Sequence, residues 1–391
     1  MGQIAAGARL YRPQGIKQVV IGSAWNKGTS FNSNNQVDLS TPVIGFRFVL
    51  KYRIAVTVAA YTSVKPENLL NIIQELRISG QNSLLGGNVT IFDMDMASWC
   101  GFQSLLGYRP YEMFVSKAAG ANTITAYPST PYSVGGFDGT VANFDVIQMF
   151  DVPMPPSLGG DQFAAGFALR QSEWSDTLQI YAKFAALADN AENEIGVSAA
   201  TTVTTLTSYG SATGSPTLDV YSLGNIAGKV NDANITPGVL SRTYANMSAN
   251  LVSGNAIALV PNLQKQTTGR VFFKVGVSTL FPNYSSLNDF IVTAAGITVA
   301  QNKPVRNLLD TFAHKLEIGR HYQVDPIQGY NVFDFLNSKN PFSAFAGANQ
   351  NVVGPGATFQ LTGNVTAVAN NALLAMQEQM LLLPSGPLYK A

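Results

Sequence analysis

The chain has 391 residues, a net charge of +1, 46% hydrophobic residues and only 12% charged ones. This length exceeds what one hydrophobic core usually holds, so we expect two domains. An average soluble domain has about 25% charged residues. We therefore expect a surface that is weakly charged, as in secreted proteins, or largely covered by neighbouring subunits, and the lack of a basic block excludes a sequence-specific nucleic-acid-binding protein.

Residues 1–38 are predicted to form an N-terminal arm. No segment here or later has the apolar length of a signal peptide or a membrane span, so we expect synthesis in a host cytoplasm. The basic residues of the arm, which all precede the first acidic residue, are Arg9, Arg12, Lys17 and Lys27. The arm is either a solvated tail or a segment that faces anionic lipid or nucleic acid at the inner side of an assembly.

Short runs of alternating apolar and polar residues, separated by Gly, Pro, Asn and Ser, dominate the rest of the chain and predict antiparallel strands. In the first half, the predicted strands are 43–50, 53–59, 144–150 and 178–184. The segment after Pro66 is interpreted as a short helix that turns into a strand near Leu76. Apolar spacing predicts a helix over 96–106, and residues near 110–140 are predicted to form a polar tower loop.

The sequence predicts a first domain at 39–190 and a second at 191–391, because apolar residues give way to acidic ones between 188 and 197. Alternation resumes in TTVTTLTSY and LDVYSL and then predicts five strands, at 271–277, 290–299, 330–335, 358–368 and 373–382. A helix is predicted over 304–319. A second polar insertion is predicted near 224–254, and the chain is expected to end in a C-terminal tail.

Two histidines, His314 and His321, are the side chains best suited to act as a general base. Both lie at or just beyond the end of the helix predicted over 304–319, where cations are stabilised by the helix dipole. We interpret them as helix-end charges. Since no G-x-S-x-G motif occurs either, the sequence predicts no catalytic residue and no enzyme, although a hydrolase on a β scaffold remains a third alternative.

Asp93 and Asp95 alternate as in a strand and offer two carboxylates to a divalent cation. A third acidic ligand is missing nearby, so the alternative interpretation is a helix N-cap at Asp95 and a strand-end charge at Asp93. The single cysteine, Cys100, excludes a disulfide framework and is predicted to be a buried, inert thiol. The sequence contains no phosphate- or dinucleotide-binding motif, so no metal and no cofactor are expected.

The order of the elements resembles that of the double jelly-roll major capsid proteins of tectivirus-type bacteriophages with an internal membrane. The resemblance rests on three stretches of the sequence. The first is ENLLNIIQELRISGQ followed by NVTIFDMDMASWCGFQSLLG, the second is FDVIQMFDVPMPPS followed by DTLQIYAKFAAL, and the third is GYNVFDFLNS followed by TFQLTGNVTAVANNALLAMQEQM.

The resemblance implies an all-β protein with two tandem eight-stranded jelly rolls and one short helix in each. It implies a major capsid protein that forms homotrimeric, pseudo-hexagonal capsomers in an icosahedral virion shell around an internal membrane. Its partners would be its own copies, penton and minor capsid proteins, and the membrane. The alternative from another class is a receptor- or carbohydrate-binding β-sandwich spike protein, which an exposed aromatic trough or a calcium loop would favour.

Overall fold

The chain folds almost entirely into β-strands in the residues that the computed structural model describes. These are the elements given next together with residues 72, 83, 85, 86, 95, 154, 167–171, 173, 174 and 208–216. The strands are β1 Tyr11–Val20, β2 Trp25–Asn26, β3 Phe31–Asp38, β4 Val43–Val58, β5 Ile73–Asn82, β6 Gly87–Met94, β7 Tyr111–Lys117, β8 Ile124–Tyr127, β9 Asn143–Pro153, β10 Thr177–Phe184, β11 Thr201–Thr207, β12 Thr217–Asn225, β13 Gly238–Ser248, β14 Ala256–Leu259, β15 Thr267–Gly276, β16 Leu287–Ala294, β17 Ile297–Asn302, β18 Tyr330–Asp334, β19 Phe359–Val365 and β20 Ala372–Leu382. The helix α1 is Met96–Leu105.

The first of two compact units comprises Met1–Thr90, Asp95–Cys100 and Arg109–Ile235. One of its sheets has the strand order β1-β12-β4-β9-β7-β8, with β11 pairing with both β2 and β4. A second group of its strands has the order β3-β10-β5, and both of these pairings are antiparallel. Antiparallel sheets with one buried face explain the alternation seen in the sequence.

The core of the first unit lies against the even-numbered side chains of β4. Phe46, Phe48, Leu50 and Tyr52 are completely buried. The ring of Phe48 stacks on that of Phe150 in β9 with a centroid distance of 5.2 Å and an interplanar angle of 13°. Burial of each such aromatic side chain contributes about 1.5–3 kcal/mol to stability.

The helix α1 begins where the sequence predicted. The Asp95 carboxylate accepts hydrogen bonds from the backbone N–H of Ser98 at 2.7 Å and from its hydroxyl at 2.6 Å, so the predicted N-cap is confirmed. Trp99 is completely buried, and its indole N–H donates to the carbonyl oxygen of Asp151 in β9 at 2.9 Å. This bond attaches Trp99, in the first turn of the helix, to β9 and satisfies a buried donor.

The second unit comprises Ile91–Met94, Gly101–Tyr108 and Thr236–Ala391. One group of its strands has the order β18-β15-β20-β13, and a separate four-stranded sheet has the order β14-β19-β16-β17. Phe102 of α1 lies against Phe272 of β15 with a centroid distance of 4.9 Å. The helix predicted over 304–319 lies outside the described residues.

Several predicted boundaries differ from the structure. The two strands predicted at 43–50 and 53–59 are one strand, because Lys51 and Arg53 occupy the face opposite the core and leave the alternation unbroken. The strand predicted at 290–299 is instead the hairpin of β16 and β17. Residues 73–82 form the strand β5, which agrees with the strand predicted near Leu76.

The regions predicted as an arm and as polar insertions also contain strands. β1 pairs with β12 and β3 pairs with β10, although both belong to the predicted arm at 1–38. The predicted tower loop near 110–140 contains β7 and β8, and the predicted insertion near 224–254 contains the whole of β13. Pairing through backbone hydrogen bonds does not require apolar side chains, so these strands give a weak sequence signal.

The division of the chain near 188–197 stays a prediction. The first compact unit continues to Ile235, because β12 lies between β1 and β4 in its sheet.

Candidate functional site

One face of the sheet around β4 carries paired charges. Arg47, Lys51 and Arg53 share this face, since successive side chains of a strand point to opposite sides. Their carboxylate partners on the two flanking strands are Asp145, Asp151 and Asp219. We call this surface the ion-paired face. The three cations and three anions of these pairs cancel.

Two of the three pairs are bidentate. Arg47 donates to the two carboxylate oxygens of Asp151 at 2.7 and 2.8 Å, and Arg53 donates to those of Asp145 at 2.7 and 2.9 Å. In each pair the two residues lie directly opposite each other in the register of β4 and β9. This cross-strand position brings the planar guanidinium and the carboxylate into the geometry that gives strong hydrogen bonds.

The third pair joins β4 to the strand on its other side. Lys51 Nζ lies 2.6 Å from Asp219 Oδ2. The hydrogen bond to Asp219 raises the pKa of Lys51 although partial burial opposes this effect. Because the amine stays protonated, Lys51 is an electrostatic contact and is unsuited to act as a nucleophile.

Asp145 accepts hydrogen bonds from two different elements of the first unit. Besides Arg53, it accepts a hydrogen bond from the backbone N–H of Gly210 at 3.0 Å. Burial acts to raise the pKa of Asp145, but the hydrogen bonds from Arg53 and Gly210 and the charge of Arg53 outweigh burial and lower it. The carboxylate is therefore held in its ionised form.

Residues 208–216 form a loop that interrupts a strand. β11 and β12 pair one after the other with the same edge of β4, with Thr207 opposite Arg53 and Thr217 opposite Lys51. The chain thus leaves the sheet and returns at positions only two residues apart on β4. A compact loop whose ends are this close is an Ω-loop.

Two further strands pair with β11 and β12 beside the ends of the Ω-loop. β1 ends with Val20 opposite Thr217, and β2 begins with Trp25 opposite Leu206.

The Ω-loop lies over one end of the ion-paired face. Its Gly210 reaches Asp145 on β9, which is the strand on the far side of β4. The exposed fraction of the cationic side chains falls towards this contact, from 43% for Arg47 through 34% for Lys51 to 15% for Arg53. The loop therefore shields the Arg53 pair and leaves the Arg47 pair open to solvent.

Internal hydrogen bonds hold the Ω-loop in one conformation. The Thr207 hydroxyl donates to the carbonyl oxygen of Ser211 at 2.8 Å, and the Ser208 hydroxyl donates to that of Ser215 at 2.9 Å. Gly214 has a φ of +92°, and a Cβ at this position would collide with the side chain of Ser208. The loop is thus closed across its base and packed at its centre.

Tyr209 lies in this loop beside Gly210. Among the large hydrophobic side chains of the described residues, that of Tyr209 is exposed, with 40% of its surface accessible to solvent. Gly210 has a φ of +75°, which places the turn in the left-handed region that favours glycine. The loop therefore presents an aromatic ring from a fixed backbone.

Three side chains that the sequence offered for chemistry, those of Cys100, Asp95 and Asp93, are among the described residues. Cys100 is completely buried, and this burial, assisted by the charge of Asp95, raises the pKa of its thiol well above the ordinary value. Such a thiol is a poor nucleophile, so the prediction of a buried, inert cysteine is confirmed. Both carboxylate oxygens of Asp95 are engaged by Ser98 at the start of α1, whereas Asp93 lies at the end of β6.

In the part of the chain that the structure describes, no three His, Cys, Asp or Glu side chains come together as metal ligands would. His314 and His321 lie outside the described residues. Of the predicted basic arm, Arg9 and Lys27 also lie outside them, whereas Arg12 and Lys17 are part of the edge strand β1, opposite Gly224 and Val220 of β12.

Neither the ion-paired face nor the Ω-loop was predicted from the sequence. The cations carried a usable signal, since Arg47, Lys51 and Arg53 share the odd-numbered side of the alternation in β4. The sequence YGSATGSP between two alternating runs indicated a turn. No local pattern, however, indicates that β11 and β12 align along the same partner strand.

Among the described residues, no helix is both long enough and apolar enough to cross a bilayer. No protein-family model matches the sequence, and no curated protein is similar to it in sequence. The fold has counterparts among solved structures.

The structure of Sulfolobus turreted icosahedral virus is similar over 96% of this chain and 92% of its own, with 11% identity and a TM-score of 0.53. The crystal structure of the "STIV MCP" matches over 95% and 98% at 11% identity, with a TM-score of 0.49. The major capsid protein of bacteriophage PM2 matches over 94% and 98% at 9% identity, with a TM-score of 0.44. The likeness to the Sulfolobus virus structure, together with two strand-rich compact units, shows that the chain is an all-β protein with the double jelly-roll fold.

Proposed function

We propose that this chain is a major capsid protein that builds an icosahedral virion shell and catalyses no reaction. The observation that carries the proposal is the likeness of nearly the whole chain to a protein of an icosahedral virus at a TM-score of 0.53. Fold likeness alone does not fix function, so the physical properties of the surface matter as well.

The first unit has properties suited to self-association. Only 12% of the residues of the chain are charged. The charges of the ion-paired face cancel within the chain, so two copies that approach through this face meet no net repulsion. Weak charge and broad sheet faces favour burial against neighbouring subunits.

The finer parts of the proposal follow the sequence resemblance. The capsomer is a homotrimer of six jelly rolls with pseudo-hexagonal outline, the chain is made in the host cytoplasm, and penton and minor capsid proteins complete the shell. The domains are the arm at 1–38, a first roll at 39–190 and a second at 191–391. The host is a bacterium and the shell encloses an internal membrane.

The decisive experiment is a measurement of mass and assembly on the purified full-length chain. Mass photometry over a range of concentrations is expected to show a species of three times the 41.7 kDa chain mass, and electron microscopy to show a pseudo-hexagonal lattice. A stable monomer at every concentration contradicts the proposal. In that case, binding to oligosaccharides would favour the alternative of a spike protein.

The basic arm is proposed to face the internal membrane. Each cation near an anionic bilayer contributes about 1 kcal/mol to binding. Replacement of the four basic residues Arg9, Arg12, Lys17 and Lys27 by Gln is therefore expected to abolish co-flotation with phosphatidylserine vesicles. Equal flotation of the variant and the native chain contradicts a membrane-facing role.

A further inference from the structure

We propose that the Ω-loop at 208–216 is a contact surface for a second copy of this chain, with Tyr209 as its anchor. The inference rests on the proposed function and deepens it, because it names the part of the first unit through which copies meet.

The Ω-loop is already ordered within the single chain, before any partner binds. The hydroxyls of Thr207 and Ser208 close its base, and Gly210 is attached to Asp145, whose carboxylate is itself held by Arg53. A loop that is fixed in its bound conformation loses little conformational entropy on binding.

The Ω-loop combines an exposed aromatic side chain with uncharged neighbours. Tyr209 is exposed in the middle of a loop whose other residues are Ser, Gly, Ala, Thr and Pro, without a charge. Protein interfaces are enriched in aromatic side chains and depleted of charge at their centres, and tyrosine is among the residues that carry most of the binding energy.

The charges near Tyr209 indicate which kind of partner binds to the loop. A nucleic acid or an anionic membrane would require free cations beside Tyr209, but the guanidinium of Arg53 beneath the loop is bidentately bound to Asp145. A weakly charged protein is the better match, and this chain is one, since its net charge is +1 and only 12% of its residues are charged. A second copy is therefore the partner that the loop fits.

The experiment compares assembly of the full-length chain with that of four variants. Tyr209→Ser removes the ring and Tyr209→Phe retains it. Gly210→Ala disfavours the left-handed turn without a clash, since nothing lies within 4 Å of the added Cβ. Gly86→Ala is the matched control, because Gly86 has a similar φ of +72° and equally open surroundings but lies in the turn between β5 and β6.

We expect Tyr209→Ser to raise the concentration at half-maximal assembly about tenfold, as the loss of an interface anchor does. Gly210→Ala should raise it about fivefold, since residues other than glycine disfavour the left-handed region. Tyr209→Phe and Gly86→Ala should assemble like the native chain. Melting temperatures measured in parallel are expected to show that all four variants are folded.

Three results overturn the inference. If the native chain assembles and both Tyr209→Ser and Gly210→Ala assemble equally well, the Ω-loop is not a contact while the proposed function stands. If the native chain stays monomeric at every concentration, the proposed function fails with it. Binding of an oligosaccharide that is lost in Tyr209→Ser would assign the loop to a different partner and likewise overturn the inference.

Discussion

The two faces of β4 differ in what holds them. On one face Phe46, Phe48 and Leu50 are completely buried, and Phe48 stacks on an aromatic ring of β9. On the other face Arg47 and Arg53 form ion pairs with aspartates of the same neighbouring strand. The same pairing of β4 with β9 thus joins apolar side chains on one side and charges on the other. Stability depends mainly on the first face, whereas the second determines how the surface meets water and other molecules.

The difference arises because apolar burial and charge pairing contribute different amounts of free energy to folding in water. A buried aromatic side chain is stabilised by removal of its whole surface from water. An exposed ion pair gains little, since water solvates the separate charges almost as well and salt screens their attraction. We therefore expect substitutions on the two faces to differ severalfold in their effect on the free energy of unfolding.

The largest effect is expected for Phe48→Ala. The substitution removes a completely buried ring and its stacking contact with Phe150, and should lower the free energy of unfolding by about 3–5 kcal/mol. Phe48→Leu retains most of the apolar volume and is expected to cost clearly less. Urea unfolding followed by tryptophan fluorescence measures both. A loss below 1 kcal/mol for Phe48→Ala would contradict the assignment of this face to the core.

The next effect separates the two ends of the ion-paired face. Arg53→Met leaves a shielded Asp145 without its cation and should cost about 2 kcal/mol. Arg47→Met is the matched control on the same strand, and should cost less than about 1 kcal/mol because its pair is exposed. Equal losses in the two variants would show that the Ω-loop does not shield the Arg53 pair.

A smaller effect of opposite sign is expected within the core face. In the described structure the hydroxyl of Tyr52 is buried without a hydrogen-bond partner, and this burial raises its pKa well above the ordinary value. Tyr52→Phe removes the unsatisfied group and should raise the free energy of unfolding by about 1 kcal/mol. A decrease of the same size would mean that the hydroxyl has a partner in solution.

The smallest effect is a change in the dependence of stability on pH. The folded-state pKa of Asp145 lies below its ordinary value of 3.8, so its contribution is present above that value and is lost as the pH falls through the folded-state pKa. As the pH falls, the free energy of unfolding of Asp145→Asn should therefore decrease less steeply than that of the native chain.

Glu173 provides the matched comparison of opposite sign. Burial raises its pKa above the ordinary 4.5 although Arg170 opposes this effect, so its contribution is present at low pH and is lost as the pH rises through the raised pKa. Glu173→Gln should make acid unfolding steeper, because it removes a group that favours the folded state at low pH. Unfolding free energies measured at a series of pH values distinguish the three proteins, and parallel curves would contradict both assignments.

Sequence patterns predicted much of the first unit because these patterns are local. The alternation around Phe46 and Phe48 predicted a strand with one buried face, and apolar spacing together with the carboxylate of Asp95 predicted both the position and the start of α1. The strand β3 was not predicted, because polar residues dominate it and its pairing depends on backbone hydrogen bonds with the distant strand β10.

The candidate site could not be predicted in the same way. Arg53 and Asp145 are 92 residues apart in the chain, and Lys51 and Asp219 are 168 apart. Nothing in the neighbourhood of either residue in the sequence specifies its partner. The register of β4 with β9 and β12 creates these pairs, and the register is set by the packing of the opposite, apolar face.

The sequence by itself thus determined the class of the fold, the buried side of β4, the helix cap at Asp95 and the inert environment of Cys100. Each follows from periodicity or chemistry within a few residues. Only the tertiary structure decided that one strand opens at 208–216, that Gly210 attaches this loop to Asp145, and that Tyr209 stands exposed. These features depend on which strands become neighbours, and that choice is made by the packing of the whole sheet.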